Sequence, residues 1–215
     1  MILKRLQLNT TLGMPTNCYI VVDEDTKEAI VIDPGGEVEK IIDMIKIIGT
    51  KVKYIYLTHC HGDHIGVAEN LRKYTNAKVL IYITESESLN NTDINLLDYI
   101  GMEPIYLEAD SRVQDNDLIH IGNIEFKVIH TPGHTCGSTS LYCEKYNMLF
   151  SGDTIFSGTW GRTDLPTGSL KDMMNSITKK ILTLPDDTII YPGHGRLTMI
   201  QDEKPIYLEL KPKLF

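Results

Sequence analysis

His59-Cys60-His61-Gly62-Asp63-His64 puts three imidazoles and a carboxylate within six residues, directly after the apolar run Tyr54-Ile55-Tyr56-Leu57. In an extended segment, side chains two apart share a face. His59 and His61 can therefore grip one metal ion, while Asp63 and His64, beyond Gly62, can turn toward a second. So many ligand-type groups are too crowded to form a satisfied core, and the stretch outlines a hydrolytic two-metal site.

The remaining ligands should stand where other strands end. Pro132-Gly133-His134 follows Phe126-Lys127-Val128-Ile129, and Pro192-Gly193-His194 follows Thr188-Ile189-Ile190-Tyr191. Each reads as a strand, a Pro-Gly turn and a presented imidazole. Asp153, after Met148-Leu149-Phe150-Ser151-Gly152, is a third strand-end ligand. Both oxygens of its carboxylate carry lone pairs, so it can bridge two ions.

With these residues in hand, the chain resembles the metallo-β-lactamase-fold superfamily, and within it the glyoxalase II-like hydrolases. Further stretches fall in the family's order: Asn17-Cys18-Tyr19, Asp33-Pro34-Gly35-Gly36, Thr131-Pro132-Gly133-His134-Thr135, Ser151-Gly152-Asp153-Thr154 and Tyr191-Pro192-Gly193-His194-Gly195. The resemblance implies that His59, His61 and His134 hold a first metal, that Asp63, His64 and His194 hold a second, and that Asp153 bridges them. It also implies an α/β fold, the four-layer αββα sandwich, where propensity alone gives a layered α/β domain. The donor set suits zinc first, or iron or a mixed iron and zinc pair, over magnesium or calcium.

At 215 residues and 42% hydrophobic content, residues 1–215 read as a single domain. A formal charge of −8 with scattered Lys and Arg argues against nucleic acid as a partner. Met1 to Leu8 lacks the features of a signal peptide, and no run approaches the roughly 20 apolar residues of a membrane span. A cytoplasmic protein without a membrane partner is expected. Cys18, Cys60, Cys136 and Cys143 form no C-x-x-C pair and read as reduced thiols, with Cys60 and Cys136 turned away from the neighbouring ligands as small buried hydrophobes.

Asn17–Val22 and Glu28–Asp33 read as a hairpin. Val38, Ile41, Ile42, Ile45 and Ile48 repeat at helical spacing up to Gly49, and Val52–Leu57 is a strand leading into the metal motif. A helix beginning at Asp63 and running through Ala68 and Leu71 follows, then a strand over Val79–Ile83. Residues 85–115 are the least readable segment, and their polar stretch Ser86-Glu87-Ser88-Leu89-Asn90-Asn91-Thr92 reads either as a loop near the site or as a solvated helix. Beyond them come strands over Ile119–Ile129, with a turn at Gly122-Asn123, and over Ser138–Cys143 and Asn147–Ser151. Ser169 caps a helix through Leu170, Met173, Met174, Ile177 and Ile181, which Leu184-Pro185 ends. The paired Pro-Gly-His turns suggest an internally duplicated arrangement of two mixed sheets.

The expected reaction is attack of a metal-bridging hydroxide on a thioester, ester or lactone carbonyl, with Asp63 and Asp153 as the catalytic carboxylates. Water between two metals can ionise near neutrality, and thiolates leave readily because thiols ionise near pH 8.5. In the loop Gly158-Thr159-Trp160-Gly161-Arg162-Thr163-Asp164, Arg162 is a candidate contact to a small-molecule substrate's carboxylate, or else a loop anchor paired with Asp164. Trp160 either walls the pocket or pins the loop. This loop occupies the position where glyoxalase II enzymes contact glutathione through a Lys and a Tyr, and the Tyr has no counterpart here. The stretch from Gly195 to Phe215 is shorter than their carboxy-terminal helical region. Asp33 is expected to tie down a turn beside the site, and His120 and His130 to be ordinary strand histidines. Two other classes compete: a mononuclear iron persulfide dioxygenase using His59, His134 and Asp153, and a non-catalytic metal-binding scaffold.

Overall fold

The computed structural model describes residues 1–10 and 15–214. The first half builds a six-stranded sheet, ordered β1 (Ile2–Leu8), β2 (Thr16–Val22), β3 (Glu28–Ile32), β4 (Lys51–Tyr56), β5 (Lys78–Tyr82) and β6 (Ser111–Val113). β1 to β3 pair antiparallel and β3 to β6 parallel. Helix α1 (Val38–Ile48) makes the crossover from β3 to β4, and the short α2 (Gly62–Ile65), α3 (Ala68–Thr75) and α4 (Thr92–Asn95) follow.

The second sheet runs in spatial order from β14 (Thr198–Met199) through β13 (Ile189–Pro192), β10 (Met148–Gly152), β9 (Thr139–Cys143) and β8 (Ile124–His130) to β7 (Leu118–Ile121). Its one parallel pair, β10 with β13, is joined through α5 (Leu170–Lys179), as β3 and β4 are joined through α1. A small ribbon, β11 (Ile155–Phe156) with β12 (Thr159–Trp160), and helix α6 (Ile200–Leu214) complete the chain.

Alternation along the strands creates the layers. On β2, Ile20 and Val22 join the core beneath α1 and α3, whereas Tyr19 and Val21 face Phe126, Val128, Leu141 and Phe150 of the other sheet. Leu149 and Ile190 point the opposite way, onto Met173, Met174 and Ile177 of α5 and Tyr207 of α6. Three apolar cores therefore separate four layers, helix, sheet, sheet and helix, and each fully buried aliphatic side chain contributes about 1.5–3 kcal/mol. β2 is buried along its whole length because it has a core on both faces.

The predicted α1 ends as expected at Gly49, whose φ of 69° lets its N–H reach back to Ile45 O. Ser169 caps α5 by accepting from Asp172 N at 3.2 Å. The single helix expected from Asp63 through Leu71 is instead broken into α2 and α3. Val67 N–H donates to the carbonyl of Pro34 at 3.1 Å, and Gly66 packs so closely on Gly35 and Met102 that it fixes the break. Helix α6, β1 and the short β11, β12 and β14 had no sequence assignment. Residues 85–115 form no long helix: a single 3-10 turn at Glu85–Glu87, α4 and loop carry the chain to β6.

Candidate metal centre

Every expected ligand stands beyond the carboxyl end of a strand, on one edge of the two packed sheets. β4 delivers the 59–64 motif, β8 delivers His134, β10 delivers Asp153 and β13 delivers His194. The edge is held closed by backbone. Asn17 N–H donates to Gly193 O at 2.7 Å and Gly193 N–H to Gly152 O at 2.8 Å, which ties the His194 turn to both sheets. Side chains would not fit here. A Cβ on Gly193 would lie 2.2 Å from Asp153 Oδ1 and 2.7 Å from His64 Cε1.

Five of the seven histidines converge. His59, His61, His64, His134 and Asp153 are buried, and Asp63 and His194 are partly so. Three sets lie close enough for a shared ion: His59, His61 and His134; Asp63, His64 and His194; and His59, His64 and Asp153. The first two match the sets implied by the resemblance. Asp153 lies between them, Oδ2 being 3.6 Å from His134 Nε2 and 3.4 Å from His194 Nε2, while Oδ1 is 3.4 Å from His64 Nε2.

Outer hydrogen bonds orient the rings. His134 Nδ1–H donates to the backbone carbonyl of Arg162 at 2.7 Å, and His194 Nδ1–H to that of Pro15 at 3.1 Å. His64 Nδ1–H donates to Asp33 Oδ2 at 3.0 Å. Thr58 Oγ1 donates to the same carboxylate at 2.8 Å, leaving its lone pairs to accept from His59 Nδ1–H at 3.0 Å. In each ring the other nitrogen is thereby turned inward. His61 Nδ1 lies 2.8 Å from His134 Nε2. Asp33, expected beside the site, is the buried carboxylate on which His64 and Thr58 both rest.

These groups fit a metal. His59 Nε2, His61 Nε2 and Asp153 Oδ1 are buried without a hydrogen-bond partner, a costly state that a cation relieves. Burial, with neighbouring imidazoles, holds His59 well below the ordinary histidine range and His61 down at about 3. Burial also opposes charge on His64, yet Asp63, Asp153 and Asp33 outweigh it and raise His64 well above that range. His194 is raised against burial to about 10 by Asp153 and Asp63. Asp63 falls to about 2 against burial, chiefly through His64 and then His194, and Asp153 falls well below its usual range through the same two rings. Without metal, protons on two rings balance two carboxylates. Nitrogen with carboxylate oxygen is a donor set for divalent transition metals.

A cleft of about 600 Å³ opens onto the cluster, lined by His61, Asp63, His134, Asp153 and His194 at its base. Leu96, Tyr99, Ile100, Phe156 and Leu165 form its apolar wall. Residues 11–194 match the model of the metallo-beta-lactamase superfamily. The chain belongs to this superfamily.

Among its relatives, a protein named probable metallo-hydrolase YqgX of Bacillus subtilis is 35% identical, with 88% of this chain and 90% of that protein covered. Hydroxyacylglutathione hydrolase GloC of Haemophilus influenzae is 34% identical, over 87% of this chain and 89% of that protein. Of solved structures, BLEG-1 B3 metallo-beta-lactamase superposes with a TM-score of 0.88 at 37% identity, covering 95% and 97% of the two chains. ETHE1 from Myxococcus xanthus gives 0.79 at 27%, covering 100% and 91%, and TTHA1623 in a di-iron-bound form gives 0.78 at 28%, covering 93% and 97%. The four-layer architecture is thus the metallo-β-lactamase fold.

Arg162 lines the cleft, but its guanidinium is forked on Asp164 with two bonds of 2.8 Å, the loop-anchor alternative. Trp160 is not among the cleft-lining residues. Its ring lies 6.0 Å from that of Tyr207, against the outer core of the second sheet. Cys60 is buried as expected, whereas Cys136 is exposed, because residues 136–137 form a turn in which the face alternation of an extended strand no longer holds. His120 and His130 lie outside the cluster: His120 is exposed on β7, and His130 stacks on Tyr82 at 4.3 Å. Sequence reasoning missed Thr58, whose hydroxyl next to the motif was the available signal, and the cleft wall from residues 96–100, which carried none.

Proposed function

We propose that this chain is a two-metal hydrolase of thioester bonds, or of ester or lactone bonds, in which His59, His61 and His134 hold one ion, Asp63, His64 and His194 the other, and Asp153 both. The observation that carries the reading is the position of Asp153, which reaches both histidine sets, with Oδ2 toward His134 and His194 and Oδ1 toward His64 without a hydrogen bond. Zinc suits the donors, and the di-iron relative supports iron as a second occupant. Bound by these residues, such ions would supply a water that ionises near neutrality and would polarise a carbonyl.

The chain's own groups do the rest. Thr58, Asp33 and the carbonyls of Pro15 and Arg162 keep the imidazoles aimed inward, so no reorientation is needed during reaction. The apolar wall of Leu96, Ile100 and Phe156 lowers the local dielectric and strengthens each charge interaction at the base of the cleft. A thiolate departs without a protonated acid beside it, which matches Asp63 and Asp153 being held ionised. The free thiols of Cys18, Cys60, Cys136 and Cys143 support a reducing, cytoplasmic setting. Among the described residues no helix is long and apolar enough to cross a membrane.

The relationship to GloC supports thioesters in particular. The likeness to ETHE1 supports a second reading, mononuclear iron chemistry on a persulfide with His59, His134 and Asp153 as the ligands. That reading leaves His64 and His194 idle, although both are oriented by hydrogen bonds of their own. Metal-loaded protein should cleave a small acyl thioester at equal rates with and without oxygen, and His64→Ala should abolish turnover. Persulfide-dependent oxygen uptake that survives His64→Ala would establish the second reading.

A further inference from the structure

The cleft has two arginines in its lining, and they are not in the same state. Arg162 is neutralised by the bidentate bridge to Asp164, so it adds little net charge. Arg196 lies beyond His194 and Gly195, lines the same cleft and is exposed. Its Nε–H donates to Ser157 Oγ at 3.0 Å, which fixes the plane of the guanidinium. Among the described residues no carboxylate forms an ion pair with it. Asp202 and Glu203 share an adjoining hollow, but Asp202 stays outside ion-pair distance, and Glu203 is occupied by Gly158 N–H and the Thr198 hydroxyl. The two terminal NH2 groups of Arg196 are left to donate in parallel, the arrangement that matches a carboxylate.

Resting on the hydrolase reading, we propose that Arg196 anchors a carboxylate on the substrate, and that the substrate is a thioester pairing that carboxylate with an apolar group. The apolar part lies against Leu96, Tyr99 and Ile100. One guanidinium balances one carboxylate. A phosphate monoester, carrying about 1.5 to 2 charges, would be left part-compensated.

The test uses thioethers, which cannot be hydrolysed: S-hexyl-3-mercaptopropionate and its amide, titrated calorimetrically into metal-loaded protein. The acid should bind the wild type about tenfold more tightly than the amide. Arg196→Ala should reduce that ratio below about twofold by weakening the acid alone. Equal binding of acid and amide to the wild type overturns the assignment, as does a preference that survives Arg196→Ala. Because nothing is cleaved in this measurement, a protein that hydrolyses no thioester but shows the Arg196-dependent preference refutes the proposed reaction and leaves the anion site standing.

Discussion

Thr58 gives its one hydroxyl proton to Asp33, and for that reason it receives the Nδ1–H of His59. A residue with no metal-binding chemistry thereby sets the tautomer of a ring that has it. The same Asp33 carboxylate also accepts from Thr58 N–H at 2.8 Å and from His64 Nδ1–H, so one buried acid orients histidines of both proposed ligand sets.

Thr58→Val keeps the shape and removes the hydroxyl, leaving Asp33 one donor short and His59 Nδ1 without its acceptor. Metal affinity should fall about 10- to 100-fold, the usual cost of losing an outer partner of a ligating histidine. Thr58→Ser should stay close to the wild type. Competition with a chromophoric chelator measures this, and unchanged affinity in the Val variant would show that the relay has no effect on the metal.

Asp153 should matter more than His194. Removing the residue that reaches both histidine sets weakens both ions, whereas His194 belongs to one set. Asp153→Ala should therefore retain fewer than one ion per chain on average, and His194→Ala about one. Elemental analysis of the two purified variants decides it; two retained ions in Asp153→Ala would remove the bridge from the scheme.

Loading the metal-free chain should release protons. With His194 raised to about 10 and His64 raised well above its ordinary range, both rings carry protons at pH 7, while His59 and His61, shifted down, carry none. Ligation requires the lone pairs those protons occupy, so about two protons should leave these rings per chain at pH 7, with up to about one more from a metal-held water that ionises near neutrality. The sign fixes the pH trend: raised groups lose their protons only as pH rises through the folded value, so the release from His194 should fade near pH 10 and remain whole at pH 7. An indicator dye in weakly buffered solution reads it, and loading without proton release would contradict the paired arrangement of rings and carboxylates.

The parts of this site that were legible in the sequence are those whose chemistry is local. His59 to His64 advertise themselves because imidazoles and a carboxylate cluster within one turn, and His134, Asp153 and His194 because each follows an apolar strand and a glycine. α1 and α5 were legible because their apolar periodicity, the capping Ser169 and the terminal Gly49 agree. The cleft wall was not: Leu96, Tyr99 and Ile100 belong to a stretch whose conformation depends on packing over the motif, as Leu97 and Ile100 do against Gly62, and not on its own periodicity. α6 lay hidden because Pro205 and Pro212 fall within it. For Arg162 the sequence left two readings open, and the bridge to Asp164 is the contact that forms, whereas Trp160's contact with Tyr207 depends on three-dimensional neighbours far apart in the chain.

The two glycines flanking His194 should respond differently to alanine, because one is required for close approach and the other for backbone conformation. Gly195 has φ of 73° with nothing within 4 Å of where a methyl would stand, so Gly195→Ala meets only the left-handed backbone penalty of about 1–2 kcal/mol. Its melting temperature should drop while metal content and turnover remain. Gly193 has no such backbone demand, but its Cβ would press on Asp153 Oδ1 and His64 Cε1, backed by the rigid turn that hydrogen-bonds to Asn17 and Gly152. Gly193→Ala should therefore push Asp153 out of reach of the histidine sets and lower metal content as well as stability. Melting curves with and without chelator, set beside elemental analysis, separate the two: a Gly193→Ala protein that keeps its full metal complement would show that Asp153 can move aside without losing its contacts, and the close packing around it would then carry no functional weight.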